Sequence, residues 1–239
     1  MHNRKKATVR PAALPKSYHH GDLRNALLDA AELLFAQQPG EPPTLREVAR
    51  LAGVSHAAPY HHFDGRDAML AAVAERGFAQ LGQVMAESLA RSDDVESRLA
   101  DMGRNYVEFA LARPTLYRLM FGPLLKQKQK YPHMQQSSEA TFSALVSASA
   151  AYAPDNALGL SLIGWSMLHG IATLAIDGAL DATPAPLPDA ATLAHQLIGQ
   201  VLRGDLQQPA TSAPSAAQPP GNRAGHTPRR PARVPKPAG

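Results

Sequence analysis

The stretch Ser55-His56-Ala57-Ala58-Pro59-Tyr60-His61-His62-Phe63 gathers a hydroxyl, a phenol and three imidazoles within nine residues. Such groups can bind metal, move protons or hydrogen-bond to phosphates and base edges. Metal is the weakest of these. His61-His62 and His19-His20 are adjacent pairs, and neighbours on a helix point about 100° apart, so they do not converge on one ion. Proton chemistry lacks its partners. There is no cysteine, no phosphate-binding loop and no nucleophile elbow, and Asp101, His133 and His169 form a triad only on paper. No catalytic residue, metal or cofactor is therefore expected. Any such use needs a scaffold, because so short a segment buries almost nothing by itself.

The flanking sequence supplies one. Leu23, Leu27, Ala30 or Ala31 and Leu34 recur at helical spacing until "QQPGEPP" stops the run. Thr44 then starts a second helix as N-cap, and Glu47 three residues on completes a capping box. Gly53 breaks it. Ser55 is the expected cap of a third short helix that ends by Phe63. Pro59 then falls at the end of its first turn, where a missing N–H costs little but the turn tightens towards a 3₁₀ form. Val54 and Phe63 are expected to anchor it on Leu45, Val48 and the first helix. Asp64 or Asp67 should cap a long helix over about 67–91. Two short helices joined by a tight turn form a helix-turn-helix, with the second offered to the major groove.

Beyond residue 90, helices are expected at 95–112, 114–122, 134–152, 155–180 and 189–203, punctuated by proline and glycine. The fold class is all-α. The expected organisation is a basic arm over 1–17, the helix-turn-helix domain over 18–66, a helical ligand-binding and dimerisation domain over 67–204, and a Pro/Ala/Arg-rich tail over 205–239 that cannot fold alone.

Charge separates these parts. The chain carries +4 overall, yet residues 19–204 hold 14 basic against 19 acidic side chains. Basic ends on an acidic body suit nucleic acid touched partly by these arms, the alternative, above all for the C-terminal tail, being a solvated, solubilising segment. The helix-turn-helix region itself, 19–78, has five arginines against eight acids, so the arm is expected to supply much of the attraction to DNA. The first 20 residues have no apolar signal core, and the absence of cysteine fits a reducing cytoplasm. Residues 158–176 carry no charge, but contain Ser161, Ser166, His169 and Thr173 between Asp155 and Asp177. They read as a helix buried on several sides rather than a membrane span.

The segment "TLREVARLAGVSHAAPYHHFDGRDAML" resembles the DNA-binding signature of TetR-family transcriptional regulators over residues 19–78. "GWSMLHGIATLAIDGAL" resembles the C-terminal class named WHG, through Trp165, His169 and Gly170, and "YHHGDLRNALLDAA" at 18–31 fits the same subgroup. The resemblance implies that Thr44, Tyr60, His61 and Arg66 (where the family usually has lysine) meet phosphates. Ser55 heads the reading segment, and His56 and Ala57 face bases, Ala57 suiting a thymine methyl. It further implies a homodimer on a palindromic double-stranded operator, paired through the last two helices. A small-molecule effector would lie among Tyr106, Phe109, Phe121, Trp165 and His169, and its binding would shift helix 67–91 and release the DNA. The alternatives are a non-specific DNA-packaging protein and a helical enzyme or carrier.

Overall fold

The computed structural model describes residues 23–90 and 94–205. The arm, His19, His20 and the tail from 206 onward lie outside the described residues. Eight α-helices and no strand occur among those described: α1 Leu23–Gln37, α2 Leu45–Ala52, α3 Arg66–Leu89, α4 Val95–Ala112, α5 Pro114–Phe121, α6 Pro132–Ala150, α7 Ala157–Ile176 and α8 Ala190–Arg203.

Local chemistry sets most boundaries. Asp94 and Asp189 accept the amides of Ser97 (2.8 Å) and Thr192 (2.9 Å) and so cap α4 and α8. Pro114 and Pro132 occupy the first helical positions of α5 and α6, where no N–H is needed. Gly53, at φ 71°, takes the left-handed conformation that closes α2.

Two expectations are corrected. Ser55 does not cap a third α-helix: Ala58–His61 is a 3₁₀ helix whose N-cap is Ala57, with no side-chain cap bond. Proline at its second position, in a stretch too short to bury a face, leaves tight turns such as Tyr60 N–H to Ala57 C=O (3.1 Å). Neither Asp64 nor Asp67 caps α3. Gly65 stands at that position with φ 89°, which brings the chain round at a conformation other residues avoid. Within one chain, α7 is buried on one side only. Its candidate spanning window is only 28% buried, and Leu158, Leu162, Ile163 and Leu174 are exposed. Ser161, Gly164, Leu168, Ile171 and Ala172 form its buried side, against α4, α6 and α8. By length and composition alone this helix could cross a membrane.

α3 ties the two halves together. It packs on α1 near its start and on α4, α5 and α6 further along. Arg76 reaches from it to Asp29 (2.5 Å) and Glu32 (2.7 Å) of α1. Beside it, Gly77 lets α5 approach so closely that a Cβ would stand 2.7 Å from Met120 Sδ and 3.0 Å from a Leu116 methyl.

Candidate nucleic-acid interface and internal cavity

At the N-terminus of α2 the capping box is complete. Thr44 Oγ1 accepts the Glu47 amide (3.3 Å), while Glu47 Oε2 accepts both the Thr44 amide and its hydroxyl, each at 2.8 Å. These bonds hold the Glu47 carboxyl below the usual carboxylate range. Leu45, Val48 and Ala49 point into the core. Arg46 and Arg50 remain exposed on the other side. Sequence reasoning did not single out these two arginines, although their i, i+4 spacing opposite Val48 and Ala49 was available.

The next segment divides the same way. Pro59 and Phe63 are buried, and the Arg24 guanidinium lies 5.6 Å from the Phe63 ring centre. Ser55, His56, Ala57, Tyr60 and His61 are all exposed, Tyr60 at 58%. Thr44 and Arg66 are exposed as well. Arg66, the first residue of α3, lies 3.7 Å from its neighbour Asp67. All seven residues singled out for DNA therefore stand at the surface, carried on anchors that do not. Apart from the Ala57 methyl, their groups are hydroxyl, phenol, imidazole and guanidinium, the kinds that bond phosphate oxygens and base edges.

The second feature is a cavity of about 410 Å³ lined by α3, α4, α5, α6 and α7. Tyr106, Phe121 and Trp165 line it, joined by Phe78 of α3 and Phe142 of α6, which were not among the expected residues. Phe121 meets Phe78 edge-on at 5.3 Å, and Phe142 meets Trp165 at 5.7 Å. Phe109 does not line the cavity. It is a core residue, with Arg113 5.4 Å from its ring centre. Three positions after Tyr106, it is turned about 60° around the helix.

His169 stands behind this wall. Its Nδ1 lies 2.6 Å from the Tyr117 hydroxyl and 3.2 Å from that of Tyr106, and the two hydroxyls are 3.1 Å apart. With the Tyr117 hydroxyl donating to Nδ1 and that of Tyr106 to the Tyr117 oxygen, the ring proton is left on Nε2. Burial favours this neutral form by lowering the His169 pKa. Burial also pushes the Tyr117 phenol up to about 12 and raises that of Tyr106. All three groups are therefore uncharged near neutral pH. A second hollow of about 670 Å³ lies between the end of α1, α5 and the loop after it.

Comparison with known proteins follows this division. Residues 27–73 match the model for bacterial regulatory proteins of the tetR family, and residues 99–201 match the tetracyclin repressor-like C-terminal domain.

The chain belongs to the TetR family.

The matched C-terminal domain does not bear on the WHG subdivision. Among the relatives, the HTH-type transcriptional regulator BetI of Brucella anthropi is 31% identical over 77 residues, 32% of this chain and 40% of BetI. A solved protein of unknown function from Rhodococcus sp. RHA1 is 34% identical, with a TM-score of 0.64 over 78% of this chain and 98% of that one. FadR from Bacillus subtilis, solved in complex with stearoyl-CoA, shares the fold at 13% identity, with a TM-score of 0.56 over 75% and 98% of the two chains.

Proposed function

We propose that this TetR-family chain is a ligand-responsive transcriptional repressor of the bacterial cytoplasm. As a homodimer it binds a palindromic double-stranded operator, and a small molecule in the cavity releases it. One observation carries this reading: a single helix, α3, starts with Arg66 among the exposed DNA-directed residues and lines the cavity with Phe78, Leu81 and Met85 further along. A ligand that displaces those side chains pushes on the element that positions Arg66 and the segment before it. A coupling of about 1–3 kcal/mol suffices for a useful response.

The dimer reading rests on the apolar side that α7 leaves open. Leu158, Leu162, Ile163 and Leu174 are exposed there, and half-buried Leu193, Leu197 and Val201 recur every four residues on α8. Pairing two copies through these helices would cover both and set two reading segments for half-sites about 34–36 Å apart. No catalytic role is proposed.

The test is binding of the purified protein to tiled duplexes from the DNA flanking its own gene, at fixed salt, against random duplex. One tile preferred by about 10³-fold or more supports a specific regulator. Uniform, salt-sensitive binding to every tile would sink it in favour of DNA packaging.

A further inference from the structure

The chemistry of the cavity wall restricts what can enter. Aromatic rings and thioethers dominate it: Phe78, Phe121, Phe142, Trp165, Met85 and Met102. Two of its hydroxyls are already engaged, and Ser138 and Ser143 add two more, both neutral. Thr141 Oγ1 lies 3.0 Å from the Phe78 carbonyl and 2.8 Å from that of Ser137, and the Tyr106 phenol belongs to the Tyr117–His169 cluster. No lysine, arginine or histidine occurs among the described lining residues. The wall does contain one carboxylate, Glu139 of α6, which is exposed and takes part in no ion pair among the described residues.

An anionic ligand would leave water for a wall with no positive partner, beside a carboxylate that repels it. Burying an unpaired charge is strongly unfavourable. A cation meets the opposite situation: a free carboxylate at the edge and aromatic faces that attract positive charge. We infer that the cavity takes a lipophilic molecule with one positive charge, its apolar body between Phe121, Phe142 and Trp165 and its cationic group on Glu139. This rests on the cavity being the effector site, and adds the ligand's chemical class.

Trp165 is the chain's only tryptophan, so its fluorescence reports occupancy directly and without DNA. The probes are decylamine, decanol and decanoate, which share a body and differ in head-group charge, titrated below micelle formation into the full chain and into Glu139→Gln. The expected order is amine, then alcohol about tenfold weaker, then carboxylate weaker by a further tenfold or more. Glu139→Gln should bring the amine to within about twofold of the alcohol and leave the alcohol unchanged. Decanoate binding as tightly as decylamine overturns the inference. So does an amine indifferent to Glu139→Gln, or a Trp165 signal that no probe changes. Release of a preferred DNA tile is measured separately. An amine that occupies the Trp165 site yet never releases DNA refutes the effector mechanism while the charge selectivity stands.

Discussion

The hydroxyl of Thr141 shares its one proton between the backbone carbonyl of Phe78, 3.0 Å away across 63 residues of chain, and that of Ser137 in its own helix, 2.8 Å away. The Phe78 carbonyl lies inside α3, and Thr141 and Phe78 both line the cavity. The bond to Phe78 therefore fastens a wall of the cavity to the helix that begins at Arg66. A Cβ on Gly82, one turn beyond Phe78, would stand 3.4 Å from the same hydroxyl, so the two helices meet closely at this point.

Thr141→Val keeps the shape and removes the bond. It should cost about 1 kcal/mol in denaturant unfolding. Ligand should still quench Trp165 but release DNA less effectively. Unchanged release would remove Thr141 from the coupling.

His169 makes stability depend on pH. Its folded pKa is depressed by burial below an unfolded value of about 6.5. Between the two values the unfolded chain binds the extra proton, so this contribution is complete above about pH 6.5 and is lost as pH falls through the folded pKa. Thermal melts from about pH 8 to pH 5 should show Tm dropping at the acid end, and His169→Gln should flatten that part of the curve. A wild-type Tm that rises on acidification contradicts the assignment.

Thr44 and Tyr60 separate folding from binding. Thr44→Ala breaks the capping box and should cost about 1 kcal/mol of stability, together with operator affinity, whereas Thr44→Ser should retain most of both. Tyr60→Phe, at a residue 58% exposed, should leave the melt unchanged and weaken the preferred tile by about tenfold. A Tyr60→Phe protein that binds as tightly as wild type removes the phenol from the interface.

The open side of α7 predicts an assembly. Ile163→Glu and Leu158→Glu place charge at exposed positions, so each protomer should stay folded. Light scattering should show the dimer replaced by monomer, and tile preference should collapse. A variant that remains dimeric moves the interface elsewhere.

Gly77→Ala opposes two effects. Alanine in a helix gains about 1 kcal/mol over glycine, but its Cβ meets Met120 and Leu116, both buried. Overpacking of this kind costs about 1–3 kcal/mol. A net loss of about 1 kcal/mol is expected in chemical denaturation, and a stabilised variant would mean α3 and α5 separate more easily than their packing indicates.

All eight helices could be read from spacing, caps and proline punctuation, because those signals act within a turn or two. The errors lie where local signals compete or partners are distant. Ser55 has a capping side chain, but Pro59 stops an α-helix from following it. Asp64 and Asp67 are good caps, yet the turn needs the positive φ of Gly65. An uncharged run such as 158–176 has the same composition whether its neighbours come from this chain or another, so composition does not say which of its residues, Ile163 among them, a single chain leaves exposed. The cavity is assembled from five helices. Phe142 therefore belongs to it and Phe109 does not, a difference of orientation that aromatic content alone does not encode.

The reading segment is held by Pro59 and Phe63, while Ser55, His56, Ala57, Tyr60 and His61 contribute little to the interior. Exchanging those outer side chains leaves the anchors untouched. Descendants of such a chain can drift to new operators in small steps without passing through unfolded intermediates. Laboratory selection at these five positions can follow the same route, retargeting the protein while the response to its ligand is inherited intact.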